Sequence, residues 1–178
     1  MTRVLAATTA EVLAELDPGL LADWERRRLR RIRVPARRAD VTAARLLLRR
    51  CVAEQLGCLI AEVTIGQVCP ECDAPGHGRP YLPGRPDTGI SLSHADGMVA
   101  VAAGPGPVGI DLEPLDRPLP RPLHRLFPQA TGDPARLLRL WVRREAELKS
   151  GGTGLPVREW TDRRLGAVLA VAGGPAAA

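Results

Sequence analysis

The stretch 89–112 leaves the chain few ways to fold. Its apolar residues come in three short bursts, Ile90 and Leu92, then 98–103, then 108–112, with turn signals at Asp96-Gly97 and 104–107 between them. Bursts of this length bounded by Gly and Pro read as strands, here the middle of a sheet. Two segments of helical period flank them. In 41–56 apolar residues recur at 41, 44, 48, 51, 52 and 56, with Thr42 placed to begin the helix and Gly57 to end it. For 135–149, Asp133-Pro134 is a start signal and Ser150-Gly151-Gly152 a stop, and Leu137, Leu140, Trp141 and Leu148 are expected on one side. The segments 69–86 and 114–128, rich in Gly, Pro and Cys or in Pro and Arg, read as irregular loops. A last short strand is expected at 167–171 and a frayed end at 173–178. No internal repeat is visible in the sequence.

At 178 residues the chain is long enough for one compact domain or two small joined lobes. One Phe, one Tyr and three Trp leave little material for base-stacking platforms, so the core must come from Leu, Val, Ile and Ala. A net charge of +5 points to an anionic partner without choosing among nucleic acid, a membrane surface, a phosphorylated small molecule or an acidic protein. Lys149 is the only lysine among the 25 basic side chains. In a chain biased so strongly to Arg, a lone ammonium invites a specific role, since Lys can give up a proton and Arg cannot. The basic stretch 25–38, with Arg26, Arg28, Arg37 and Arg38, is interrupted by Pro35 and reads as a solvated helix face plus a linker. No apolar run nears the ~20 residues of a membrane span. The segment 4–16 carries Glu11 and Glu15 without a cleavage pattern, so a cytoplasmic protein is expected. Four Cys make no disulfide scaffold, and Cys51 and Cys58 read as small buried hydrophobes.

Three clusters carry chemistry. In 108–113 the period of two sends Val108, Ile110 and Leu112 to one face and Asp111 and Glu113 to the other. Two carboxylates side by side repel, and a hard divalent cation removes that penalty; ordinary surface acids on an edge strand are the alternative. In 141–149, Glu145 and Lys149 share a helix face at i, i+4, which suits either a surface ion pair or an acid–base site. Ser93-His94 follows a strand, with Gly78-Arg79-Pro80 upstream, and nothing nearby completes a Ser-His-Asp triad. Separately, Cys69-Pro70-Glu71-Cys72 with His77 offers part of a zinc site, short of a fourth ligand in the local sequence.

The ordered series Gly78-Arg79-Pro80, 91–94, 109–113 and 141–149 with Gly152-Thr153-Gly154-Leu155 resembles the motifs of the Sfp-type 4′-phosphopantetheinyl transferases, over roughly residues 25 to 157. The resemblance implies an α+β, pseudo-dimeric single chain. Two similar lobes, each a small mainly antiparallel sheet packed against helices, would be 1–104 and 105–178, with the active site between them. It implies transfer of phosphopantetheine from coenzyme A to a serine of an acidic apo carrier protein by a monomeric enzyme that binds neither nucleic acid nor membrane. Magnesium would be held by Asp111, Glu113 and Glu145, and catalysis would fall to Glu145 and Lys149. Arg28, Arg38, Arg79, Ser93 and His94 would bind coenzyme A, His94 at the 3′-phosphate. Carrier docking is expected on the Arg-bearing loop with Arg117, Arg121 and Arg125, aided by exposed Leu119, Leu123 or Phe127. Two departures stand out. Arg144 replaces a lysine of the family motif, and the short stretch after Leu155 puts the last hairpin of the second lobe in question. A catalytically impaired paralogue that binds coenzyme A and a small basic zinc-containing nucleic-acid-binding protein are the competing readings.

Overall fold

A computed structural model describes residues 1–69, 72, 76–120, 122–130, 132–152 and 154–174. The chain is α+β, with small antiparallel sheets packed against helices. Its first half runs β1 (Arg3–Thr8), α1 (Thr9–Glu15), α2 (Asp23–Arg30), α3 (Pro35–Leu56), β2 (Gly66–Val68), β3 (Arg79–Tyr81), β4 (Thr88–Ala95) and β5 (Met98–Pro105). The second runs β6 (Gly109–Pro114), α4 (Pro122–Leu126), α5 (Pro134–Ser150), β7 (Val157–Asp162) and β8 (Ala167–Ala172).

The strands form two three-stranded antiparallel sheets, ordered β1-β5-β4 and β6-β8-β7, beside the short β2-β3 ribbon. In each three-stranded sheet a first strand is followed by a long helix and then a hairpin whose last strand takes the centre. The strand block 89–112 is therefore not one sheet. β5 already has β4 on one side and β1 on the other, so β6 has no open edge there and founds the second sheet.

Alternation along the strands explains the layering. Val99, Val101 and Ala103 face α3 and its core of Leu46, Leu48 and Val52. Ala100 and Ala102 point the other way, into a core shared with Ile110, Leu112, Leu169 and Val171 of the second sheet. On the far side, Val168, Ala170 and Ala172 meet Leu138, Val142 and Ala146 of α5. The order is thus helix, sheet, sheet, helix, and all but one of the central contact residues named on β5 and β8 are Ala or Val.

Several expectations needed correction. The helix over 41–56 starts earlier, at Pro35, which occupies its first turn, where a missing N–H costs nothing; the basic stretch is interrupted as expected, by the non-helical residues 31–34 between α2 and α3. Thr42 starts nothing, because its hydroxyl donates to Arg38 O within the helix at 2.8 Å. Gly57 ends it in the left-handed region, as expected. On α5, Asp133 caps Arg136 N, but the buried line is Leu137, Leu138, Val142 and Ala146, while Leu148 is 44% exposed. The irregular loop 69–86 contains β3, and 114–128 contains α4, anchored by buried Leu123 against Ala130 and Leu137. Leu119, Leu123 and Phe127 pack inward, and Leu115 and Leu126 are the exposed apolar residues of that segment. The doubted last hairpin is present as β7–β8. Gly173 and Gly174 are tied down by Gly173 N to Pro156 O and Thr2 Oγ1 to Gly174 O; residues 175–178 lie outside the described residues. Cys51 is buried, which pushes its thiol up to about 12, and Cys58 is half-buried. No helix among the described residues is long and apolar enough to cross a membrane.

The two halves are also pinned by Glu11. Its carboxylate accepts Thr8 N at 2.8 Å, closing a capping box, and takes Arg164 Nη1 of the β7–β8 turn at 2.8 and 2.9 Å. The Thr8 N–H first, then Arg164, hold this carboxyl down at about 2. A group lowered in the folded state contributes stability above its ordinary value and loses it as pH falls through the folded value. Glu11→Gln should therefore lower the melting temperature at neutral pH, with the gap from the parent closing between about 4.5 and about 2. Melting curves across that window check it, and a gap independent of pH would deny the carboxylate this role.

Candidate functional site

The site begins at Gly109, the first residue of β6. A Cβ there would collide with Ala146 O and Ser150 N of α5. Only glycine lets the last turn of α5 lie on the strand. That contact sets Lys149 over Asp111, and Lys149 Nζ donates to Asp111 Oδ1 at 2.6 Å and to Ser93 Oγ at 3.1 Å. Ser93 on β4 in turn donates to Asp111 Oδ1 at 2.8 Å, while Ser91 Oγ accepts Ile110 N at 3.1 Å. One strand from each three-stranded sheet and helix α5 thus meet at one carboxylate. Glu145 and Lys149 are close enough on α5 for Lys149 to act on the Glu145 carboxyl, but the ion pair of Lys149 goes to the tertiary partner Asp111 and not to Glu145.

Asp111 Oδ2 is buried and has no hydrogen-bond partner among the described residues. A buried carboxylate oxygen without a donor is costly unless a cation completes it. Glu113, on the same strand face, pairs with Arg117 and accepts a hydrogen bond from Trp141. Burial raises its carboxyl above the usual range, and Arg117 opposes this. Glu145 is raised too, by burial first and then by Asp111, with Lys149 and Arg144 opposing. The three carboxylates therefore share one field. Their ligand atoms do not all lie within 4.8 Å of one another, and Arg117 and Lys149 are paired with Glu113 and Asp111. In donor chemistry and in the orphaned oxygen they fit a hard divalent cation.

Two cavities adjoin this cluster. One, about 740 Å³, is lined by Gly78, Arg79, Pro80, Ser91 and Lys149 among others. Arg79 Nη2 donates to Leu148 O at 2.9 Å, beside Lys149. The other, about 800 Å³, is lined by Arg37, Asp40, His94 and Arg117 among others. Burial lowers His94, with Asp40 opposing and Arg37 reinforcing. Both cavities carry paired cations, which suits a ligand with separated anionic groups.

The remaining sequence candidates are dispersed. Arg37, not Arg38, lines the His94 cavity; Arg38 is exposed on the first turn of α3. Arg28 donates to Gly76 O and borders a different, smaller pocket with Trp24 and Arg31. Arg26 is spent on Leu21 O and Asp23, and Arg144 pairs with Glu147 at 3.5 Å. Arg117 is exposed and pairs with Glu113, Arg125 is exposed, and Arg121 and Thr153 lie outside the described residues. Cys69, Cys72 and His77 bring ligand atoms within 4.8 Å of one another and could hold a metal ion; Pro70 and Glu71 lie outside the described residues. Sequence reasoning missed Arg117 and Trp141 as partners of Glu113, and only the four-residue spacing of Glu113 and Arg117 hinted at the first.

No family model matches the sequence, and no curated protein matches it at a significant level.

Gly109→Ala should force α5 off β6. Overpacking of this kind costs about 1–3 kcal/mol, a fall of roughly 2–12 °C in melting temperature for a chain of this size. A calorimetric melt within 1 °C or so of the parent would contradict the contact.

Proposed function

We propose that this protein is a 4′-phosphopantetheinyl transferase: it moves phosphopantetheine from coenzyme A to the serine hydroxyl of an acidic carrier protein. The reading is supported above all by Asp111, whose Oδ1 is held by Lys149 and Ser93 while the buried Oδ2 is left for a cation. The matching order of elements around the two sheets supports the finer architecture, two similar lobes with the site where β4, β6 and α5 converge.

A magnesium ion would be held by Asp111, Glu113 and Glu145 and would neutralise charge on the pyrophosphate of coenzyme A. The protein's own groups would do the rest. Glu145, raised by burial, is the base for the carrier serine proton. The serine oxygen forms its bond to the β-phosphorus as the bond to the bridging oxygen breaks, and 3′,5′-ADP departs. Lys149, 31% exposed at its side chain and anchored on Asp111, lies beside that leaving group and stabilises it. Arg79 on one side and His94 with Arg37 on the other would bind the nucleotide phosphates. Burial lowers His94 below its ordinary value, which favours the neutral imidazole, and its ring N–H would serve as a hydrogen-bond donor to a phosphate. Exposed Arg125 with Leu115 and Leu126 would meet the carrier. Two thiolates and an imidazole form a donor set that selects zinc over magnesium, so the ion at Cys69, Cys72 and His77 would be zinc.

With coenzyme A, magnesium and apo carrier proteins, intact mass should show the gain of one phosphopantetheinyl group. Glu145→Gln should slow transfer by about 10²–10⁴ with the fold intact. No gain on any carrier, together with no thermal shift on adding coenzyme A and magnesium, would remove the transferase reading.

A further inference from the structure

The β2–β3 ribbon is too small to hold its own shape. It has three residue pairs, Gly66↔Tyr81, Gln67↔Pro80 and Val68↔Arg79, and Pro80 has no N–H to give. A two-stranded ribbon of this length is unstable alone in water. It nevertheless carries Arg79, whose guanidinium reaches the last turn of α5 and lines the cavity beside Lys149.

One set of ties secures the inner side of the turn that precedes Arg79. Gly76 N donates to Gln67 O at 2.8 Å, Gln67 Nε2 donates to Gly78 O at 2.6 Å, and Arg28 donates to Gly76 O. Gly78, at φ +90°, is pressed so closely on Val68 and Cys69 that a Cβ would strike their backbone. The outer side is different. Cys72 and His77 are exposed, so apolar burial does not gather them, yet Cys72 Sγ lies 3.3 Å from His77 Nε2 and both lie near buried Cys69. Two donors on a tetrahedral zinc, with bonds of about 2.3 Å to sulfur and about 2.0 Å to nitrogen, stand roughly 3.5 Å apart. The observed spacing is close to that. Three protein donors leave one coordination position for water or a further donor.

We propose that a zinc ion on Cys69, Cys72 and His77 is a clip that positions Arg79 for anion binding. Cys69 directly follows β2 and His77 stands two residues before Arg79, so the ion joins the exit of one strand to the entry of the other. Metal binding then supplies the loop-closing free energy that three residue pairs cannot. Arg79 is a binding residue in this scheme, and Cys72 and His77 act through it. The inference rests on the zinc assignment, and its ligand arm rests on the coenzyme A reading.

The test begins with elemental analysis of the full chain expressed in zinc-supplemented medium, where about one zinc per chain is expected, lost in Cys72→Ser and in His77→Ala. Hydrogen exchange over 66–81 should rise on chelation and in either variant, while β6 and α5 stay protected. Titration with 3′,5′-ADP should show about tenfold weaker binding or more in both Cys72→Ser and Arg79→Ala, and the double variant should be no weaker than Arg79→Ala alone. A chain with no zinc, or with iron or copper in its place, overturns the proposal. So does zinc whose removal leaves exchange over 66–81 unchanged, and so do additive losses in the double variant. If the parent binds no 3′,5′-ADP the transferase reading fails, and the exchange result alone decides the clip.

Discussion

The approach of α5 to β6 at Gly109 is the constraint from which the site follows. With no Cβ in the way, the carbonyl of Ala146 and the N–H of Ser150 come down onto the strand, and small Ala170 and Ala172 on β8 continue the same shallow seat. Lys149 is thereby carried within 2.6 Å of Asp111, two residues along from the contact. Because the same ammonium also reaches Ser93 on β4, a helix-to-strand contact in the second sheet becomes a link to the first. Burying Asp111 would be prohibitive for a bare carboxylate; Lys149 and Ser93 offset that at one oxygen and leave the other with an electrostatic demand.

Charge is used differently in the first half. Glu25 is fully buried, and both Arg45 and Arg49 donate to it from α3. Arg45 also stacks over Trp24, 4.9 Å from the ring, and donates to Gln67 Oε1 at 2.8 Å. Burial pushes this guanidinium below its ordinary value, and Glu25 pushes it back. The network ties α2 and α3 to β2, and through Gln67 to the turn before Arg79. Arg45 and Arg49 are thus interior structural groups and not part of the basic surface that faces a partner.

The elements legible in the sequence are those whose pattern is local. β4, β5 and β6 announce themselves by apolar bursts, and α5 by Asp133, Pro134 and Gly151. β1 was missed because half of its residues are Ala or Thr, and β7 because Arg158, Glu159 and Asp162 hide its strand pattern; each is made by pairing far along the chain or in a hairpin, Arg3 with Ala103 and Trp160 with Leu169. The inner side of α5 was misjudged at Leu148 because a helix's buried face depends on where its neighbours stand, and here the sheet meets Val142 and Ala146. In the site, the carboxylates were identifiable from strand alternation, but the partner of Lys149 was not. A residue 38 positions away decided it, against a nearer acid one helical turn back.

The Cys69, Cys72 and His77 cluster, which could hold a metal ion, and the acids proposed to hold magnesium differ in a way that matters if both are filled as proposed. Zinc outcompetes magnesium at most nitrogen and oxygen sites, so a carboxylate site alone gives poor discrimination by affinity. The sulfur and imidazole donors lie apart, on the β2–β3 ribbon, while the acids at Asp111, Glu113 and Glu145 offer oxygen only. Each set favours its own class of ion by softness. The proposed magnesium site also keeps Arg117 on Glu113, while Lys149 holds only one oxygen of Asp111, so a cation entering as proposed would displace Arg117, whose charge the pyrophosphate could then take up. Metal and anionic substrate would in that case favour each other's binding: the cation frees the guanidinium that holds the anion, and the anion stabilises it in its displaced position.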